Sequence, residues 1–240
     1  MREEDLIEDA KRAEKELHQE HRHHTQKTKD KPSRRNMFSY LTALLLLLLI
    51  IMMVVPYYGL KLDPSPKNIP LPEEVMPNAI DQLTEENPGL PAGSRANMRQ
   101  LLMPDHQSIR NTAAMIATAS CRESNVCYSK ALFYFVRDNF QYVGDPPNNY
   151  LESPFETLQT RGADCDGLAI LLANFQSAVG IPTRFAFIPG HVYVQVKIDS
   201  APKKYKEKDG WISLDPTCSS CEFGEVPYTT IDKQKEFLYI

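Results

Sequence analysis

Three hydrophobic patterns divide the chain. From Phe38 to Val55 the apolar residues run on without a charge, about long enough to cross the hydrocarbon core of a bilayer. Further along they recur at helical spacing. Ile109, Ala113, Ile116 and Ala117 mark one helix, and Ala131, Leu132, Phe135 and Val136 mark a second, with the Cys121 to Cys127 turn between them. Asp145-Pro146-Pro147-Asn148-Asn149 reads as an open loop. Ser153-Pro154-Phe155-Glu156 has capping-box spacing with proline at the first helical position, which predicts a short helix ending at Gly162. Leu168, Leu171, Leu172, Phe175 and Val179 then form the buried face of another helix, which stops at Gly180 before Pro182. Cys165 falls in its first turn.

Beyond Gly180 the period changes to two. Arg184 to Ile188 alternates, and after Pro189-Gly190 the segment His191 to Ile198 sets Val192, Val194, Val196 and Ile198 on one face. His191, Tyr193, Gln195 and Lys197 take the other. Trp211 to Asp215 alternates as well, with Ile212 and Leu214 opposed to Trp211, Ser213 and Asp215. Pairing the two strands antiparallel, with Val192 against Leu214 and Val194 against Ile212, keeps both apolar sets together, and a one-residue slip undoes it. That register sets His191 directly opposite Asp215, within reach of an imidazole-to-carboxylate hydrogen bond.

The flanks of the long apolar run differ in charge. Arg22, Lys27, Lys29, Lys31, Arg34 and Arg35 precede it, whereas Asp63, Glu73, Glu74 and Asp81 follow. Positive residues stay on the cytoplasmic side, so a single-pass anchor with a cytoplasmic amino terminus and an extracytoplasmic remainder is expected. A polar segment longer than the n-region of a signal peptide precedes the run, and no small-residue cleavage site follows it. The expected organisation is a polar tail over 1–37, a transmembrane helix over 38–58, a stalk over 59–104 and a folded domain over 105–240. The tail's His18, His21, His23 and His24 read as a solvated cluster rather than a metal site. The stalk is inferred from proline density, with Pro56, Pro64, Pro66, Pro70, Pro72, Pro77, Pro88 and Pro91 all in it.

Composition adds two constraints. A net charge of −4 in 240 residues supplies no basic field for nucleic acid, and none is expected as a partner. Five cysteines are an odd number outside the cell. Cys121 with Cys127 and Cys218 with Cys221 make two pairs and leave Cys165 free. A structural zinc site on those four is the competing reading, since Cys218 and Cys221 have ligand-like spacing, but an oxidising location favours disulfides. At a helix start Cys165 feels the positive end of the macrodipole, which favours a nucleophilic thiolate. His191 then reads as its base and Asp215 as the group that orients the base.

Gly-Ala-Asp-Cys-Asp-Gly, Gly-His-Val-Tyr-Val-Gln-Val and Trp-Ile-Ser-Leu-Asp-Pro-Thr resemble, in that order, three blocks of the transglutaminase-like superfamily. Phe-Val-Arg-Asp-Asn-Phe-Gln-Tyr-Val and Glu-Ser-Pro-Phe-Glu-Thr-Leu look like its upstream helices, and the likeness spans about residues 105 to 220. The resemblance implies an α+β, papain-like core with the catalytic cysteine at a helix amino terminus. It maps catalytic roles onto Cys165, His191 and Asp215, and implies acyl transfer or hydrolysis at protein or peptide amides. Binding or assembly without catalysis is the alternative. The backbone N–H of Cys165 is a natural oxyanion donor, and Gln159 and Tyr142 are candidates for a second. Some relatives use calcium, but no acidic loop here has ligand spacing, and neither metal nor cofactor is expected.

Overall fold

The computed structural model describes residues 34–91, 95–144, 150–230 and 232–240; the histidine-bearing tail and the Asp145 to Asn149 loop lie outside the described residues. The chain forms two units, Met1–Pro56 and Tyr57–Ile240. Helix α1 (Arg34–Leu62) carries the long apolar run, and its Met37–Val55 stretch is long and apolar enough to cross a membrane. It extends beyond the expected 38–58 at both ends, because hydropathy marks the apolar length of a helix and not where its hydrogen bonding stops.

The proline-rich segment expected as a stalk over 59–104 makes contacts with the residues that follow it. Asp63 accepts a hydrogen bond from the buried Lys130 ammonium at 2.5 Å and another from the Tyr205 hydroxyl at 2.8 Å. Short helices α2 (Pro72–Val75), α3 (Ile80–Glu86) and α4 (Arg95–Gln100) follow, with strand β1 (Leu90–Pro91) between the last two. Val75, Met98 and Leu101 enter the main core beside Ile109, Ile116 and Leu168. Proline blocks long regular elements here, but it does not prevent single apolar side chains from docking.

Helices α5 (Gln107–Ser120) and α6 (Asn125–Asn139) follow the expected spacing. The Ser124 hydroxyl caps α6 by accepting the N–H of Cys127. Strands β2 (Gln141–Tyr142) and β3 (Tyr150–Leu151) lead to α7 (Pro154–Thr160). Its start is the capping box: Ser153 Oγ accepts from Glu156 N at 3.2 Å, and Glu156 returns the bond to Ser153 N at 2.8 Å. Arg161 ends α7 at a left-handed φ of 54°, and β4 (Gly162–Ala163) leads straight into α8 (Cys165–Ala178). β4 pairs in parallel with β2, and β1 pairs with β3.

Helix α8 is the central pillar. Leu168, Leu171, Leu172 and Phe175 are fully buried, and so are Ala169, Ile170 and Ala173. Burying each of the large side chains contributes about 1.5 to 3 kcal/mol. α8 packs against α5, α6 and α7 on one side and on the other against a four-stranded antiparallel sheet of β5 (Thr183–Ile188), β6 (His191–Val196), β7 (Ile212–Leu214) and β8 (Glu236–Tyr239), ordered β7-β6-β5-β8. Val192, Val194, Val196, Ile212 and Leu214 face α8 within the core. Strand β8, which has no strong alternation, completes the far edge.

The face assignment and the pairing register part company at β6 and β7. Val194 pairs with Leu214, Gln195 with Ser213 and Val196 with Ile212. The expected pairing is therefore displaced by two residues, and His191 is not directly opposite Asp215. A two-residue displacement keeps every side chain on its own face, so the hydrophobic criterion cannot distinguish the two registers.

Candidate active site

Cys165 is the first residue of α8, half-buried and the only cysteine without a disulfide. Cys121 is bridged to Cys127 and Cys218 to Cys221, with Cα atoms 5.9 and 5.3 Å apart, so the four cysteines weighed as zinc ligands are spent in pairs. Asp164 caps the helix, its Oδ1 accepting the N–H groups of Asp166 at 2.9 Å and Gly167 at 3.3 Å. That cap does not take the N–H of Cys165, the first residue of the helix. The tight turn needs Gly167: a Cβ there would lie 2.6 Å from the Ala163 Cβ.

His191 opens β6 with its side chain one-fifth exposed, and Asp215 follows β7 with its carboxylate fully buried. Their contact runs diagonally across the strand pair, with His191 Nε2 2.8 Å from Asp215 Oδ2. Diagonal neighbours lie within reach of long side chains, so the two-residue displacement does not separate them. The second oxygen, Oδ1, accepts from Thr217 N at 3.1 Å and Thr217 Oγ1 at 2.7 Å, which fixes the carboxylate in its plane. With Nε2 engaged by Asp215, Nδ1 is the nitrogen left for Cys165, with which the imidazole also interacts. Burial pulls the imidazole pKa down, but its hydrogen bonds to Asp215 and Cys165 outweigh it and raise the group to about 9. The ring is therefore poised to carry a proton at neutral pH.

Of the two candidates for a second oxyanion donor, Gln159 donates its amide to Asp81 at 2.6 Å on an exposed surface. Tyr142 lies on β2, which is tied to the segment entering α8 through the bond from Val143 N to Ala163 O at 2.9 Å. The fold also assembles what no single loop displays. Glu152, Asp164 and Asp166 each bring one oxygen within 4.8 Å of the others, two of them flanking Cys165. Three carboxylates suit a hard divalent cation, with remaining positions supplied by water or backbone oxygen. The eleven residues between Glu152 and Asp164 hide this group from a search for contiguous ligand spacing.

Residues 111–216 match the family described as the transglutaminase-like superfamily. Among curated proteins none matches the chain significantly. Two solved structures resemble it in part. One is a candidate cysteine protease from Cytophaga hutchinsonii, 18% identical over 52% of this chain and 43% of that one, with a TM-score of 0.36. The other is LapG of Legionella pneumophila, 20% identical over 61% of this chain and 83% of that one, with a TM-score of 0.38. The chain thus spans less than half the length of the first. The 111–216 region, in which a cysteine opens the central helix and a histidine and an aspartate meet on the sheet beyond it, belongs to the transglutaminase-like superfamily.

Proposed function

We propose that this chain is a membrane-anchored thiol enzyme that cleaves or transfers acyl groups at protein or peptide amides, with Cys165 as nucleophile, His191 as base and Asp215 as orienter. The observation that carries the reading is the 2.8 Å bond from His191 Nε2 to Asp215, made by an imidazole that also engages the one unpaired cysteine. In the proposed cycle His191 already holds the Cys165 proton as a thiolate–imidazolium pair, and the thiolate sulfur attacks the amide carbonyl. The resulting oxyanion lies against the Cys165 N–H, with Tyr142 as the proposed second donor. The imidazolium returns its proton to the departing amine, and water or another amine then resolves the thioester. Glu152, Asp164 and Asp166 would hold a divalent cation, which when bound would screen their negative charge beside the nucleophile.

Supporting the location are the apolar helix over Met37–Val55 and the two disulfides, which persist in an oxidising compartment. The basic flank before the helix favours a cytoplasmic amino terminus and an extracytoplasmic catalytic unit. The test incubates the full-length chain in detergent with peptide mixtures, with and without a primary amine, and follows products by mass spectrometry. Hydrolysed or amine-coupled products absent from Cys165→Ala are expected. Identical product sets from wild type and Cys165→Ala would end the proposal.

A further inference from the structure

We propose that Tyr193 is a positioning residue for His191: its ring is the fixed platform that keeps the imidazole turned toward Cys165. This rests on the catalytic reading of His191 given above. On the face of β6 away from α8, His191, Tyr193 and Gln195 follow one another, about 7 Å apart at each step. The rings of His191 and Tyr193 lie with centroids 6.2 Å apart and planes 29° from parallel, within the range where aromatic faces attract. Hydrogen bonds to Asp215 and Cys165 engage the imidazole at its nitrogens and leave rotation of the ring about that line unopposed. Tyr193 covers a face, which is what restricts that rotation.

The platform itself is held on every side. Tyr193 is fully buried, directly across from the small Ala186 on β5, and packs with Ile188, Val226 and Phe237. Beyond it lies a polar ladder. Lys235 donates to both oxygens of Glu207 at 2.7 and 2.8 Å, and Glu207 accepts from Ser213 Oγ at 2.5 Å and Gln195 Nε2 at 3.0 Å. The Lys235 ammonium is 5.9 Å from the centre of the Tyr193 ring, on the side of the cation-attracting face. The Tyr193 hydroxyl is buried beside Lys235 and Ser213, whose hydrogen bonds partly offset the rise in pKa that burial imposes. The hydroxyl therefore belongs to the polar ladder, and the ring is what faces His191. Removing the oxygen should leave the imidazole's orientation intact, and removing the aromatic face should not.

The test measures carboxamidomethylation of Cys165 by iodoacetamide at neutral pH, in the full-length chain in detergent without reductant, so that the disulfides stay closed. Four variants are compared with wild type: His191→Ala, Tyr193→Phe, Tyr193→Met and Tyr193→Leu, each checked for a wild-type circular dichroism spectrum. Tyr193→Phe is expected to react within about twofold of wild type, and Tyr193→Met and Tyr193→Leu about fivefold more slowly, toward the His191→Ala rate. Either apolar variant that folds decides the matter. A folded Met or Leu variant reacting as fast as wild type overturns the proposal, as does a Phe variant slowed as much as they are. Should His191→Ala itself react like wild type, the catalytic reading of His191 fails, whatever Tyr193 does.

Discussion

Replacing Asp215 by asparagine keeps the shape of the site and removes one charge, so its effect can be worked from the geometry. Burial alone would lower the His191 pKa below its ordinary 6.5; the bonds to Asp215 and Cys165 raise it to about 9 instead. That difference corresponds to about 3 kcal/mol between the two protonation states. Asp215 is the leading stabilising partner, so Asp215→Asn should lower the midpoint by more than one pH unit. An amide N–H facing Nε2 also makes that nitrogen an acceptor and moves the ring proton to Nδ1, facing the thiol it should deprotonate. Any Cys165-dependent turnover should fall at least about a hundredfold. Stability gives an independent check. A raised histidine stabilises the fold fully below pH 6.5, and that contribution is lost as pH rises through about 9. After allowance for the ring's partial exposure, wild type should lose about 2 kcal/mol between these limits and the variant much less. The assay follows the His191 C2 proton by NMR, assigned with His191→Gln, together with melting temperature from pH 6 to 10. A wild-type midpoint in Asp215→Asn would refute the electrostatic reasoning.

Asp63→Ala should strand the Lys130 ammonium, only 2% exposed, with Ser65 Oγ and the faces of Tyr205 and Phe223 as remaining partners. The expected loss is about 3 kcal/mol, some 6 to 12 °C in melting temperature, largely recovered by adding Lys130→Met. An unchanged melt would mean that the segment after α1 is not docked. In wild type the bonds from Lys130, Lys204 and Tyr205 overcome burial and hold the Asp63 carboxyl at about 2, so its contribution is complete above pH 3.8 and disappears as pH falls through about 2. Gly167→Ala would place a Cβ 2.6 Å from Ala163 Cβ and 2.8 Å from Glu152 Oε2, costing about 1 to 3 kcal/mol in a thermal melt and slowing Cys165 alkylation. Replacing Cys218 and Cys221 together by serine should cost about 2 kcal/mol, read as urea midpoint, by freeing the turn that begins at Asp215 O and Cys218 N.

The helices are legible in the sequence because their signals are local and repeated. Apolar spacing marks α5, α6 and α8, and the Ser153-Pro154-Phe155-Glu156 box marks the start of α7 to the residue. Residues 63–103 are not legible for the opposite reason. Ile69, Val75, Met98 and Leu101 are separated by polar and proline-rich stretches with no shared period, yet each packs against or enters the core. Burial of single residues by tertiary docking leaves no periodic trace, whereas proline leaves a strong local one. The same holds for β8, whose Glu236, Phe237, Leu238 and Tyr239 are all at least partly exposed at the sheet edge.

The site shows which sequence inferences survive an error and which do not. Face and register are separate quantities on a strand: the first depends on whether a residue's position is odd or even, the second on the full pairing sum. The apolar set Val192, Val194, Ile212 and Leu214 constrains only the first, so a displacement of two residues, about 7 Å along the strand, is invisible to it. His191 and Asp215 stay on one face under that displacement, and the reach of an imidazole and a carboxylate spans the diagonal that results. A one-residue slip would have buried one of them against α8. Contacts read from shared faces are thus tolerant of even errors, and contacts read from direct opposition are not. The acidic group fails for a third reason: Glu152 joins Asp164 and Asp166 only after α7 folds back between them, and no strand or helix period encodes that return.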